Sequence, residues 1–133
     1  MQTIQEQGHA IGNHTMRHER GTASSYRDFR ASIDAAAAHT STTLFRPPYG
    51  RLPMLYARRI KREYTIVMWS WLSFDFDPTI SVNTILKQAE RIRPGDILVL
   101  HDNLKVEDRV KIVLPALLTT LKAKGYKFGI ISA

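Results

Sequence analysis

The sequence predicts an α/β fold in which mainly parallel strands alternate with helices. Short β-branched or aromatic runs take turns along the chain with amphipathic stretches of helical period. The stretches between successive runs are long enough to hold a crossover helix, as parallel neighbours require. The residues with chemistry to offer, His14 and His18, Arg46, Asp75 and His101, each follow a predicted strand, where α/β folds build their sites. One such placement says little; four on one face of one sheet are a specific signal.

Met1–Gln7 reads as the last turns of a helix closed by Gly8. Gly8–Asn13 reads as a short buried strand. After the polar turn 19–24, a helix from about Ser25 to His39 puts Tyr26, Phe29, Ile33 and Ala36 or Ala37 on one face. Thr43–Phe45 is a short strand stopped by Pro47 and Pro48. A helix of about Pro53–Glu63 is expected to bury Leu52, Leu55, Tyr56 and Ile60. Tyr64–Ser70 reads as a strand, and Trp71–Pro78 as a loop. Ser81 caps a helix with the stripe Val82, Ile85, Leu86, Ala89 and Ile92, ended by Pro94-Gly95. Ile97–Leu100 is an apolar strand delivering His101-Asp102. A final helix carries Val110, Val113, Leu114, Leu117, Leu118 and Leu121, with Pro115 expected to kink or split it. Lys127–Ile131 reads as a closing strand.

The 133 residues suit one domain, 1–133, with 44% hydrophobic and 23% charged residues. Without cysteine the chain has no disulfide or thiolate metal site. No apolar run reaches membrane-spanning length, and the first residues carry no export signal. The formal charge of +7 could attract nucleic acid or an anionic glycan. The basic residues are scattered or sit toward predicted helix ends, where they complement the dipole, and no nucleic-acid motif is present, so nucleic acid is the weakest partner class.

The pentapeptide His14-Thr15-Met16-Arg17-His18 sets two imidazoles four apart. In a helical or tightly turned backbone both rings project from one side, and such a pair suits a divalent metal, most simply zinc. Taken alone, the same residues fit two unrelated histidines on a wet turn equally well. A metal there would polarise a carbonyl oxygen and activate water. His101 is suited to protonating a leaving group, Asp75 to holding that imidazole, and Arg46 to orienting a carboxylate. Together they describe metal-assisted hydrolysis of an amide or ester. Arg46 by itself better fits a surface ion pair, Asp75 and Asp77 beside Pro78 also fit turn residues, and His101 also fits a satisfied core histidine. His9 and His39 are assigned no site role.

The set resembles the polysaccharide deacetylases, which share the NodB homology domain of carbohydrate esterase family 4. His14–His18 matches that family's His-Ser/Thr-x-x-His metal motif, and Arg46-Pro47-Pro48-Tyr49-Gly50 its Arg-Pro-Pro-Tyr-Gly motif. Trp69–Phe76 resembles its Trp-Ser…Asp-Trp segment, and Leu100-His101 its Leu-His motif. The resemblance implies a NodB-type (β/α) barrel and removal of acetyl groups from N-acetylated sugars of a polysaccharide. It implies His14 and His18 as metal ligands and Arg46 as the residue steering a catalytic carboxylate. It further implies the Tyr49 backbone N–H as an oxyanion donor, Asp75 as the tuner of the general acid His101, and Phe76 and Leu100 as walls of the acetyl pocket.

Two positions depart from the family pattern: Phe76 replaces Trp, and Leu72 replaces an Asp found in many members. The family's Thr-Phe-Asp-Asp-Gly-Pro motif, which supplies the base and the third metal ligand, does not occur. The expectation is therefore a barrel missing its first strand or strands, with about five strands and an exposed sheet edge open to self-association. The expected activity is impaired. The alternative is a non-catalytic metal- or glycan-binding remnant. Glycan identity, compartment and oligomeric state are not fixed by the sequence, although relatives often work outside the cytoplasm.

Overall fold

The computed structural model describes residues 2–132. In chain order the elements are α1 (Gln2–Glu6), α2 (Tyr26–Thr40), β1 (Leu44–Phe45), a 3₁₀ turn (Pro48–Gly50), α3 (Met54–Ile60), β2 (Thr65–Ile66), β3 (Trp71–Leu72), α4 (Val82–Gln88), a second 3₁₀ turn (Ala89–Arg91), β4 (Leu98–Val99) and α5 (Glu107–Ala123). Both sheets are parallel pairs: β1 with β2, in register Leu44 to Thr65, and β3 with β4, in register Trp71 to Leu98. The chain divides into two compact units, one of the residues up to Met68 with those from Gly129 onward, the other Trp69–Phe128.

In the first unit, Ser25 opens α2 by accepting the Asp28 N–H at 3.1 Å, satisfying one of the donors a helix start leaves open. Ser41, in left-handed backbone, closes it. The helical period carries Phe29 and Ile33 to one face, where they pack with Phe45 of β1 and Ile60 of α3, all four fully buried. Phe29 meets Phe45 edge-on, ring centres 6.2 Å apart. Burying side chains of this size contributes about 1.5–3 kcal/mol each. Gly21 sits against this cluster so closely that a Cβ would lie 3.1 Å from the Arg51 carbonyl oxygen and 3.3 Å from the Phe29 ring. A side chain there would have to press these neighbours apart.

In the second unit, Ser81 caps α4 by accepting the Thr84 N–H. Its stripe Ile85, Ala89 and Ile92 packs against Val113, Leu117 and Leu121 of α5 and against Trp71. Arg109 ties the loop before α4 to α5, donating from one guanidinium nitrogen to the Asp77 and Ile80 carbonyls. Asp77 itself is a turn residue, accepting from the Thr79 N–H and hydroxyl.

Several sequence expectations are corrected. Gly8–Asn13 is not a strand: residues 8–12 lie largely exposed and only Asn13 bridges to Phe45. Few of these residues are apolar, and β1 engages only the last of them. Tyr64–Ser70 contributes just Thr65–Ile66, while Trp71–Leu72, expected in a loop, forms β3 by pairing with β4. Lys127–Ile131 is not a strand, and Phe128 and Ile130 stand exposed. Its alternating pattern is β-like, but a strand needs a hydrogen-bonded neighbour, and none pairs with it among the described residues. Among the described residues, four two-residue strands and one bridge thus stand in place of about five expected strands. Leu55 is exposed. Pro115 sits inside α5 without splitting it; buried Val113, Leu117 and Leu121 on either side hold the helix across the lost hydrogen bond. Among the described residues, no helix is long and apolar enough to cross a membrane.

Candidate active site

The candidate residues form two clusters, one in each unit. The first is built on Asn13, which is buried where the chain passes β1. Its N–H donates to the Leu44 carbonyl and its own carbonyl accepts from the Arg46 N–H. Its side-chain amide donates to the Ile33 carbonyl at 2.9 Å, while its Oδ1 accepts the Thr15 N–H at 3.0 Å. That Asx turn starts a tight loop, which Thr15 completes by accepting the His18 N–H on its hydroxyl. Thr15 and His18 both adopt left-handed backbone, φ 63° and 54°. The two imidazoles therefore project to the same side from a turn, not from a helix, with ring centres 5.0 Å apart.

Three polar side chains not singled out from the residue pattern hold this loop. Glu19 accepts from the hydroxyls of Thr15 and Ser32 and from Arg17. Burial works against its charge, but its backbone hydrogen bond, the two hydroxyls and the nearby guanidinium prevail and hold the carboxyl below its usual range. Ser32 accepts the Met16 and Arg17 N–H groups. Asn13, two residues before Thr15, carries the one local signal that could have been read from the sequence.

His14 donates from Nδ1 to the Arg46 carbonyl at 2.6 Å. This fixes the tautomer and leaves Nε2 with its lone pair, the arrangement that orients imidazole ligands in metal sites. With both rings projecting to one side and their centres 5.0 Å apart, one ion could reach both. The pair thus fits as two ligands. Among the described residues no group of three or more His, Cys, Asp or Glu could hold a metal ion. Arg46 reaches from Nε to the Val67 carbonyl at 3.1 Å and from Nη2 to the Met68 carbonyl at 3.4 Å, and burial lowers its pKa. Tyr49, also left-handed at φ 58°, lays its ring edge-on to His18 at 4.8 Å. A non-glycine residue held there stores about 1–3 kcal/mol of strain, which clusters at functional sites.

The second cluster follows β3 and β4. Asp75, its side chain fully buried, accepts the His101 N–H on Oδ2 and the His101 Nδ1–H on Oδ1, each at 2.7 Å. Burial pushes the carboxyl up, but the backbone N–H, the imidazole and the Ser73 hydroxyl outweigh it and hold Asp75 below the ordinary aspartate value. Its residue before, Phe74, is left-handed at φ 56°. With Nδ1 so engaged, His101 keeps Nε2 for solvent or substrate on a side chain 36% exposed. Phe76 packs edge-on to that imidazole at 4.9 Å, and Leu100 packs on the second unit's core. Phe76 without an indole N–H still gives an apolar edge.

The family profile for polysaccharide deacetylases matches residues 1–68. The chain belongs to the polysaccharide deacetylase family. A peptidoglycan-N-acetylglucosamine deacetylase of Bacillus cereus is 31% identical to this deacetylase-family chain over 97% of the chain and 64% of its own length. The chain thus spans less than two thirds of that relative. Its fold is the α/β fold of the family 4 carbohydrate esterase of Streptomyces lividans, solved with acetate, at TM-score 0.80 and 26% identity over 98% of this chain and 70% of that one. A CE4 family pseudoenzyme of Bacillus anthracis shares the fold at TM-score 0.79 and 24% identity, covering 97% of this chain and 47% of that one.

Proposed function

We propose that the chain is a metal-dependent hydrolase that removes acetyl groups from N-acetylated sugars of a polysaccharide, and that these 133 residues alone turn over slowly. The observation that carries the proposal is the Asp75–His101 pair, a buried carboxylate committed to one nitrogen of an imidazole whose other nitrogen stays accessible. That is the construction of a general acid. Membership of the deacetylase family and the Bacillus cereus relative's substrate support the choice of acetamide.

His14 and His18 would hold a divalent cation, most simply zinc, the common partner of two His ligands in catalytic sites, which when bound would polarise the acetamide carbonyl and acidify water. Water would add to the carbonyl carbon, giving up a proton to solvent, and the C–N bond would break. Acetate leaves, and the sugar nitrogen departs as an amine after taking a proton from His101 Nε2. Asp75 keeps the imidazole in the donating orientation and stabilises its charged form. The Tyr49 backbone N–H would hydrogen-bond the developing oxyanion, and Phe76 and Leu100 would exclude water from the methyl group. Arg46 would steer a carboxylate, positioned by the carbonyls that its guanidinium spans.

The slow turnover follows from what Asp75 already does. Its side chain is fully buried and holds His101 with both oxygens, which keeps it away from the attacking water. Without a positioned base, the rate falls by about 10²–10⁴-fold. The test is acetate release from chitin oligomers with and without Zn²⁺, in the parent and in His101→Ala. Slow, zinc-dependent release that His101→Ala removes is expected. No release above the blank, with oligomer or zinc binding retained, would replace this proposal by the alternative of a non-catalytic binding protein, in keeping with the two-ligand metal pair.

A further inference from the structure

We propose that Arg20 is a specificity residue that reads a carboxylate on the glycan, so that the preferred ligand is an N-acetylated chain whose sugars carry carboxylate groups. The inference rests on the glycan assignment above and goes beyond it in naming the charge of the substrate.

Arg20 lies at the mouth of the first cluster. Its guanidinium covers the Tyr49 ring at 4.6 Å from the ring centre, and that ring in turn meets His18 at 4.8 Å. The guanidinium lies over the Tyr49 face and Tyr49 meets His18 edge-on, so a run of contacts leads from the imidazole pair to a cation. The run is built on rigid backbone at both ends. The Arg20 carbonyl accepts from the Ala23 N–H and the Ser24 hydroxyl, and the next residue, Gly21, is wedged against Arg51, Pro53 and Phe29. Tyr49 stands in left-handed backbone between Pro48 and Gly50.

The cation is exposed and is matched by no ion pair among the described residues. Its neighbour Arg17 differs, being paired with Glu19 at 3.1 Å. Contact with an aromatic face holds the intrinsically planar guanidinium in place while leaving its edge donors for a carboxylate, to which its fork geometry is matched. A sugar whose acetamide lies at the imidazole pair would place a substituent on itself or on its neighbour within reach of this edge. A neutral N-acetylglucosamine polymer leaves that cation without a partner, whereas a glycan bearing carboxylates, such as a lactyl ether or a uronate, supplies one.

The experiment compares direct binding of two ligands to the zinc-loaded chain at low salt. One is the neutral N-acetylglucosamine disaccharide; the other is the N-acetylglucosamine–N-acetylmuramic acid disaccharide, which carries one carboxylate. The expected ratio of affinities favours the acidic ligand by roughly threefold to tenfold, as one charge-assisted contact in a partly solvated setting gives, and it shrinks with added salt. Arg20→Gln should bring the ratio to near one. Arg20→Lys, which keeps the charge and loses the planar stack, should retain part of it. A ratio near one in the parent, or one that Arg20→Gln leaves unaltered while both affinities drop, overturns the proposal and makes Arg20 a mere support for Tyr49. Failure of both ligands to bind would overturn the glycan assignment itself, and this inference with it.

Discussion

Asp75 receives two hydrogen bonds from one residue: the backbone N–H and the ring Nδ1–H of His101, each at 2.7 Å. The first fixes where His101 begins and the second fixes how its ring turns. Replacing Asp75 by Asn leaves one of these donors facing an amide NH₂. The expected loss is about 1–3 kcal/mol of stability, read from the urea midpoint, together with loss of the acetate release that depends on His101. Unchanged stability would mean that the carboxylate is dispensable to the loop.

The same pair sets an acid limb. The Asp75 pKa in the fold lies below its unfolded value, so its stabilisation is fully present above about pH 4, where the unfolded aspartate ionises. It is lost as pH falls through the lower, folded value. Denaturant midpoints measured from pH 6 downward should therefore fall less steeply in Asp75→Asn than in the parent. Parallel curves would show that another carboxylate, such as Glu19, carries the acid sensitivity.

Gly21→Ala should destabilise by about 1–3 kcal/mol, the ordinary cost of overpacking. The added Cβ meets a backbone oxygen at 3.1 Å and the Pro53 ring at 3.2 Å, and neither can swing away as a flexible side chain would. A thermal midpoint equal to the parent's would mean that the turn holding Arg20 yields easily.

How much of this was legible in the residues differs between elements. The helices were, because each carries its own evidence: α2 has its Ser25 cap and the Phe29–Ile33 spacing, and α4 has Ser81 and the Ile85–Ala89 spacing. The strands were less so. A two-residue strand such as Trp71–Leu72 owes its existence to Leu98–Val99 opposite, and a neighbour distant in sequence leaves no mark on local pattern. Conversely, Lys127–Ile131 has the pattern and lacks the neighbour. The motif residues of the candidate site could be named, since His, Arg and Asp after a strand are conspicuous. Their supports could not: Asn13, Glu19 and Ser32 are ordinary polar residues until the fold brings them around one loop.

Asn13 should prove the most sensitive of those supports. Truncation to Ala removes its bonds to Ile33 and Thr15 from a fully buried position. Leaving the Thr15 N–H and the Ile33 carbonyl without these partners costs about 2–4 kcal/mol, and the His14–His18 loop should lose its fixed turn. Zinc affinity and chemical stability should therefore fall together in Asn13→Ala. A drop in stability with zinc affinity intact would separate the loop from its anchor.

Metal binding is the last expectation. Two imidazoles make an open site, since a catalytic zinc commonly has three protein ligands and a water, and here no third ligand group joins the pair among the described residues. Calorimetric titration with Zn²⁺ should show binding that is weak for a zinc enzyme. Removing both rings, in His14→Ala with His18→Ala, should abolish it. His39→Ala should not, because His39 lies in the exposed last turn of α2 and touches neither cluster. The single variants are informative as well. His14 is oriented by the Arg46 carbonyl at 2.6 Å, and His18 rests against the Tyr49 ring, so His14→Ala, which removes the more firmly held ligand, should weaken binding more than His18→Ala. Tight zinc binding by the parent would point to a further ligand supplied in solution by a carboxylate such as Asp102 or by a second copy of the chain. The dependence of the titration on protein concentration would tell these two sources apart.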